Sequence, residues 1–569
     1  MMQMQYEISQ PDQALVRRIQ QHFDCHPILA TVLANRNIET VRHAADFLQP
    51  TFQSLPNPME LSGMREATDR IYDALQNNER ILVFGDYDAD GVTATAVLAT
   101  FLKCAGANVQ IHLPHRTTEG YGLQTRHINQ LAIPKKIDLI VTVDCGSSSH
   151  DAIEAAKRFG IDVIITDHHN IDTKPEAFSV INPKLPQQPE SLVNLAGVGV
   201  AFYLAIGLRM VLRENGWWKE RKEPNLSALC DLVAIGTIAD VVPLVGVNRI
   251  LAKTGLQQMN MCPRPGVEAL KIASAIRSQS INSNDISFRL TPRINAAGRI
   301  AHAKTAFDLL TARSFNAARQ IADTLDQLNK RRQAIEHKIY DQIIRQLDSR
   351  PDMLERKTLL LADNIWHEGV LGIVAAKLAA DLLRPVVLVS TRNGIGKGSG
   401  RSIPGIDLYQ ALDNCRNLLD KFGGHRMAAG LTVQYDNIRK LQTAFERTVD
   451  QMSPGETVES IPVDAEIRFD QINAQLVTDL ERLEPFGEAN PAPIFLSKNV
   501  QVRSAVIVGG RHRKMMLHQY GVNSAPVDAI QFNLKSDAPR ADSFEQLAFR
   551  LQWNRHNGKR HIQMVVEAV

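Results

Sequence analysis

Three aspartates, Asp86, Asp88 and Asp90, alternate between an apolar run at 81–84 that reads as a buried strand and a run at 93–101 that reads as the start of a helix. In an extended or tightly turning segment this spacing can gather two or three carboxylates around one point. Left unpaired there, they repel one another and lose solvation. A hard divalent cation that takes oxygen ligands, such as Mg2+ or Mn2+, is the usual relief; an acidic surface turn or a calcium loop shares the spacing. Further acidic or imidazole groups end other apolar runs: Asp144 after 139–143, Asp167-His168-His169 after 163–166, and Asp240 after 235–239. A lone Asp after a strand is more often a helix N-cap. Four such sets at one sheet edge argue jointly for a metal-dependent centre.

The elements that must position these residues follow from the apolar pattern. Residues 60–270 alternate short strands, at 81–84, 109–113, 139–143, 163–166 and 180–182, with helical segments, which predicts a largely parallel sheet covered on both faces. Ligands bind beyond the carboxyl ends of such strands. Residues 304–347 contain no Pro or Gly and read as helix with at most one break near Ser314, long enough to connect two domains or to pack wholly on one. A second α/β unit begins near 357, and within it Gly394, Gly396, Gly398 and Gly400 alternate up to Arg401. Glycines let backbone N–H groups approach a phosphate, and an adjacent Arg offers a bidentate fork. Glycine-rich hairpins without a ligand are also common. After a joint at Ser453-Pro454-Gly455, short strands at 461–467, 500–508, 514–517, 527–532, 547–553 and 561–566 predict a small barrel. Basic and aromatic residues interleave there at Arg511, Arg513, Lys514, Trp553, Arg555, His556, Lys559 and Arg560, as in surfaces that track single-strand phosphates and stack bases, or as in solvated hairpin tips. Before the first sheet, residues 1–58 show mixed helical patterning, including a short helix at 40–47, and read as an accessory segment.

Composition narrows the classes. With 569 residues, 44% of them hydrophobic, the chain can bury several cores. The sequence has no long uncharged apolar run and no basic-then-apolar leader, which argues against membrane insertion and secretion. Six scattered cysteines without a CxxC pair suit reduced thiols in the cytoplasm rather than disulfides or zinc. A net charge of only +3 means that any surface for a polyanion is a local patch.

In this order, Asp88-Ala89-Asp90-Gly91, Asp144, Asp167-His168-His169 and Asp240 resemble the motif set of the DHH phosphoesterase superfamily, named after the Asp-His-His triplet. Residues 291–299, with Arg293, Asn295 and Arg299, resemble a segment typical of the RecJ single-strand-specific exonucleases within it; 398–402 and 422–425 resemble the two glycine-rich motifs of the domain that accompanies DHH modules. The likeness covers residues 60–569 and implies an α/β architecture: a parallel-sheet DHH domain at 59–302, a connecting helix at 303–350, a second α/β domain at 351–455 and an OB-like barrel at 456–569.

The resemblance implies a metal-dependent exodeoxyribonuclease acting 5′ to 3′ on single-stranded DNA, releasing mononucleotides in repair and recombination. Two Mn2+ or Mg2+ ions would be held by Asp88 and Asp90, Asp144 as a bridge, His168 and Asp240, with His169 near the substrate phosphate. Catalytic roles then fall to Asp144, His168 and His169. Many superfamily members carry a metal-binding His where this chain has Phe84, and Asp86 is the expected substitute. Expected substrate contacts are Arg293, Asn295, Arg299, Ser399, Arg401, Gly424, His425, Arg511, Arg513, Lys514 and Trp553. Expected partners are single-stranded DNA, a single-stranded-DNA-binding protein and a RecQ-type helicase, for a monomeric cytoplasmic enzyme. The superfamily also contains hydrolases of short oligonucleotides or cyclic dinucleotides, and non-catalytic replication scaffolds. The extra basic domain argues against the former, the retained ligand set against the latter.

Overall fold

The computed structural model describes residues 5–278, 280–392, 394–452, 460–534, 541–556 and 559–567, so the expected joint at Ser453-Pro454-Gly455 lies outside the described residues. After a short first strand, β1 (Gln5–Ile8), the chain builds a five-stranded sheet from β2 (Arg80–Gly85), β3 (Asn108–His112), β4 (Leu139–Val143), β5 (Asp162–Thr166) and β6 (Ser179–Ile181). The order is β3-β2-β4-β5-β6 and every pairing is parallel. Continuous apolar runs suit strands covered on both faces. Ile81 and Val83 face a core shared with helices Ala89–Cys104, Gly197–Glu214 and Cys230–Ala239, whereas Leu82 and Phe84 face a second core with helix His150–Arg158. From β2 the chain crosses to β3 on one side, while β4 lies on the other, so a topological switch point opens between β2 and β4.

One sequence expectation changes here. The apolar run before Asp240 is not a strand but the helix Cys230–Ala239, and Asp240 closes its last turn, its amide donating to the Gly236 carbonyl at 2.9 Å. A helix buried all round presents the same uninterrupted apolar text as a buried strand.

Helix Lys304–Leu310 ends before Ser314, whose hydroxyl caps the 35-residue helix Phe315–Ser349. That helix is about 50 Å long. Its first half puts Ala318, Ala322 and Leu325 into the first domain's core, and its second half puts Ile339, Ile343 and Leu347 into the next, so it connects two domains rather than packing on one. The second sheet holds β7 (Leu359–Asp363), β8 (Val386–Arg392), β9 (Ile395–Arg401), β10 (Lys421–His425) and β11 (Ala428–Gln434) in the order β10-β11-β9-β8-β7. Last come β12 (Ser460–Val463), β13 (Ala465–Glu466), β14 (Phe495–Val508), β15 (His512–Gln519), β16 (Val527–Gln531), β17 (Ser543–His556) and β18 (Lys559–Val566). The run β14-β15-β16-β18-β17 closes through β17 pairing back to β14. A barrel results, with no free edge along that circuit.

The amino-terminal segment belongs to this barrel. Leu15, Ile19, Leu29 and Leu33 share one core with Phe469, Phe495, Leu517 and Phe549, and β1 pairs in parallel with β12. Both modules are fastened to the first domain by Arg249, which is fully buried. Its guanidinium donates to the carbonyls of Phe47 (2.8 Å), Leu483 (2.9 Å), Glu484 (3.0 Å) and Arg482 (3.3 Å), and its Cζ lies 3.8 Å over the Phe47 ring. Burial, and then Arg36, push this guanidinium down to about 9. Arg249→Met fills the space and leaves those buried carbonyls without their donor, so we expect a loss of about 3 kcal/mol in denaturant unfolding, read as a lower midpoint in urea.

Candidate active site

Strand register assembles the acids. Gly85 of β2 pairs with Val143 of β4, which pairs with Thr166 of β5, so the next residues, Asp86, Asp144 and Asp167, emerge side by side. Asp144 is 2% exposed and adopts a left-handed backbone (φ 60°), held by its amide donating to the Thr166 carbonyl at 2.9 Å. Such strain persists only where the surroundings over-determine it. They do so here at Gly197, where a Cβ would collide with the Asp144 carboxylate. Asp88 caps helix Ala89–Cys104, accepting the Gly91 amide at 3.0 Å. The buried Asp90 accepts the Gly197 and Val198 amides at 2.7 and 2.9 Å, at the positive end of helix Gly197–Glu214.

His168 completes the group. Its Nε2 lies 3.2 Å from Asp144 Oδ1, 3.5 Å from Asp240 Oδ2 and 3.8 Å from Asp90 Oδ2, yet it hydrogen-bonds to none of them. Burial, and then the neighbouring His169, push this imidazole down to about 3, so it is neutral. Asp86 Oδ1 and Asp144 Oδ1 are likewise buried without a partner. Burial and the nearby carboxylates lift Asp90 to about 7 and Asp240 to about 9, and raise Asp86 and Asp144 well above the carboxylate range. Three overlapping sets, Asp86/Asp88/Asp144, Asp90/His168/Asp240 and Asp144/His168/His169, each keep one ligand atom per residue within 4.8 Å of the others. Orphaned carboxylate oxygens with one neutral imidazole among them are the donors that hard or borderline divalent cations take. The residues fit two ions, and Asp144 belongs to two of the three sets.

Asp167, quoted in the sequence but given no role there, organises the centre. Its Oδ1 accepts the amides of His168 (2.8 Å) and His169 (3.2 Å) and the His169 Nδ1 proton (2.8 Å); Oδ2 accepts the Ser147 amide at 3.0 Å. Burial alone would raise this carboxyl, but the bond and charge of His169 and the Ser147 donors hold it well below the usual range. In return, and against burial, Asp167 lifts His169 to about 9. Tyr121 reaches the same ring: its hydroxyl lies 3.1 Å from His169 Nδ1 and 3.4 Å from the Asp144 carbonyl, to which it donates.

A basic wall stands opposite. The Arg299 guanidinium donates to the Gly369 carbonyl at 3.1 Å, joining the two domains. Burial, then Arg116 and Arg332, push it down to about 9 against the pull of Asp88. Arg401 is lowered by burial and by the same Arg116; it donates to the Gly400 carbonyl at 2.7 Å and to Ser399 Oγ at 3.3 Å. Arg116, with Cζ 4.8 Å over the Tyr87 ring, thus lies among Arg299, Arg401 and Asp86. Sequence reading missed Arg116 and Tyr121, since nothing in the local spacing of loop 113–124 marks either. At Gly424 (φ 143°) a Cβ would collide with the Ala428 carbonyl. The glycine leaves His425 exposed on the cleft side, where burial, His169 and Lys184 lower it.

Other expected contacts are placed differently. Asn295 turns inward and accepts the Ala89 amide at 2.8 Å, pinning the Asp88–Asp90 turn. Arg293 spends all three guanidinium nitrogens inside the fold, on Asp326 of the connecting helix (2.9 and 2.8 Å) and the Arg289 carbonyl (2.7 Å). On the barrel, Arg511 and Lys514 are exposed, but Arg513 is 4% exposed and donates to the Ala541 carbonyl at 2.9 Å. Trp553 is half-buried beneath Arg560, whose Cζ sits 4.8 Å from the ring. The side chains of His556 and Lys559 lie outside the described residues. Phe84 is fully buried, its ring against His112 (5.4 Å) and His127 (4.9 Å).

Comparison with known proteins bears on all three regions. Residues 80–237 match the DHH family, N-terminal domain, residues 356–451 the DHHA1 domain, and residues 463–568 the RecJ OB domain. The single-stranded-DNA-specific exonuclease RecJ of Salmonella typhimurium is 36% identical over 570 residues, covering 96% of either chain. The Bacillus subtilis exonuclease of the same name is 35% identical over 536 residues, 93% of this chain but only 66% of that longer one. Among solved structures, Thermus thermophilus RecJ in complex with Mn2+ superimposes with a TM-score of 0.84 at 30% identity, covering 99% of this chain and 79% of that one. A structure of the same protein with Mg2+ gives a TM-score of 0.76. Similarity of this extent runs through the whole protein rather than one shared module, and the chain belongs to the RecJ family.

Proposed function

We infer that this chain is a metal-dependent exonuclease specific for single-stranded DNA. The observation that carries the reading is Asp144, orphaned at Oδ1 and common to two of the ligand sets, in a cluster whose Asp86 and Asp88 feel the charges of Arg116 and Arg299. Asp86, Asp88 and Asp144 would hold one ion, and His168, Asp240 and Asp90 with Asp144 the other. Two divalent ions held there would supply an activated water and offset charge on the leaving oxygen. The chain's own residues do the rest. Asp167 keeps His169 a cation beside the scissile phosphate, Tyr121 orients that ring, and the guanidiniums with Ser399 fix the phosphate backbone so that attack is in line. Exposed Arg511 and Lys514 on the barrel would add phosphate contacts for longer strands.

Family membership supports the remaining features of the proposal. These are 5′ to 3′ polarity, release of 5′-mononucleotides, a role in repair and recombination, a monomeric cytoplasmic enzyme, and partnership with a single-stranded-DNA-binding protein and a RecQ-type helicase. No helix among the described residues is long and apolar enough to cross a membrane.

Two measurements test this reading. Asp144→Asn keeps a residue that tolerates the left-handed backbone but removes the shared charge. We expect hydrolysis of a labelled single strand to fall by about a thousandfold or more while the unfolding midpoint holds, and wild-type activity to vanish with chelator and return with Mn2+ or Mg2+. Retention of a tenth of the wild-type rate would remove the site assignment. On the barrel, Arg511→Ala with Lys514→Ala should raise KM for long strands and leave dinucleotide hydrolysis unchanged. Two lost phosphate contacts should also flatten the log–log salt dependence of binding by about 1.4; equal losses at every substrate length would mean that the barrel only supports folding.

A further inference from the structure

Loop 113–124 leaves β3 and enters the short helix Thr125–His127, carrying Arg116 to the Tyr87 ring and Tyr121 to His169. No strand or long helix holds it. Arg126 ties its far limb to the Thr118 carbonyl at 2.9 Å, but most of the bonds that draw its limbs together meet at Glu119. Glu119 Oε2 accepts from His112 Nε2 at 2.8 Å and His127 Nε2 at 3.1 Å, and Oε1 accepts the His115 amide at 3.0 Å. Its carbonyl accepts Gln124 Nε2 at 2.9 Å and Arg126 Nη2 at 2.7 Å, while its amide donates to the His115 carbonyl at 2.8 Å. The end of β3, the near limb and the far limb therefore converge on it. Phe84 supplies the floor, its buried ring against both imidazoles.

Two histidines and a glutamate with ligand atoms within 4.8 Å also have the composition of a metal site. Hydrogen bonding decides otherwise. His127 Nδ1 accepts the Gln124 amide at 2.9 Å, so the neutral ring carries its one N–H on Nε2, aimed at Glu119. That nitrogen has no lone pair to offer an ion.

We propose that Glu119, clasped by His112 and His127, is a positioning residue for the reaction: it holds loop 113–124 so that Arg116 and Tyr121 stand pre-set over the carboxylate cluster before substrate arrives. The proposal rests on reading Arg116 as a phosphate contact. A pre-ordered loop spares the ordering cost at binding, so loosening it weakens substrate capture.

The test uses full-length Glu119→Ala, Glu119→Gln, Arg116→Ala and the Glu119→Ala/Arg116→Ala double variant, with steady-state kinetics on a single-stranded oligonucleotide in Mn2+ and hydrogen exchange of peptides spanning 113–124. Each alanine variant should raise KM by about tenfold, more than it lowers kcat. The double variant should lose clearly less than the product of the two single losses, since the part of the Glu119→Ala loss that runs through Arg116 is already gone. Exchange should quicken in 113–124 alone, with Glu119→Gln intermediate, because the amide keeps an acceptor for His115 but turns an N–H toward the imidazoles. Unchanged exchange in 113–124, or KM losses that multiply in the double variant, would overturn the clasp. Quickened exchange with unaltered KM in Arg116→Ala would overturn the phosphate reading and leave the clasp standing.

Discussion

Crowding of buried carboxylates is the constraint on which the rest of the structure depends. Asp86, Asp90 and Asp144 are buried around one point with Asp88 and Asp240 beside them, and burial with mutual repulsion raises each of the three, and Asp240, above the usual carboxylate range. Several features of the fold offset that repulsion without filling the site. Asp90 takes two amides from a helix start, Asp88 takes one from another, and Asp144 accepts a left-handed backbone that turns its oxygen toward His168. Asp86 Oδ1 and Asp144 Oδ1 are left without partners. Unsatisfied buried groups cost about 1–3 kcal/mol each, a cost that persists in a working protein when the groups are held for a ligand.

That cost also explains the division of labour around the triplet. Asp167 is buried at the same sheet edge yet lies well below its neighbours in proton affinity, because its oxygens are saturated by three backbone amides and His169. It stabilises a cation, His169, one residue from a neutral imidazole, His168. Two adjacent histidines are thus driven apart in charge by their partners. Across the cleft the converse arrangement holds: Arg299 and Arg401 are crowded by Arg116, so that side calls for an anion as the carboxylate side calls for cations. The connecting helix fixes the width of that gap, since it is seated in the core of each domain, and its buried Arg332, bonded to Asn329 and Glu336, stands behind Arg299.

What the sequence made legible follows from which signals are local. The five central strands were readable because a parallel sheet writes each strand as an unbroken apolar run, and Asp86, Asp144 and Asp167 were readable as the residues just after three of them. The run before Asp240 was placed with them for the same reason, and wrongly, since a fully buried helix writes the same text, although Asp240 itself does join the cluster. Arg513 shows a signal that was present and unused. In β15, Met515 and Leu517 are buried and Lys514 is exposed, so strand parity alone turns Arg513 inward. Arg293, Asn295 and the amino-terminal segment needed contacts distant in sequence: Asp326, Ala89 and the barrel core. Local periodicity cannot report these.

Phe84 ties these threads together. Where many superfamily members place a ligand nitrogen, this chain has an apolar ring built into the floor under His112 and His127. The neighbouring ligand set is then Asp86, Asp88 and Asp144, oxygen throughout, while the other retains His168. Oxygen donors favour Mg2+ and Mn2+, and an imidazole adds affinity for the softer of the two. Unlike ligand sets would give two bound ions different preferences, and Asp144, common to two of the sets, would couple one position to the other. The same phenylalanine, by supporting the imidazoles that clasp Glu119, also carries the loop that brings Arg116 to the cleft. Where the resemblance leads one to expect a ligand, the side chain instead supports the loop that carries Arg116.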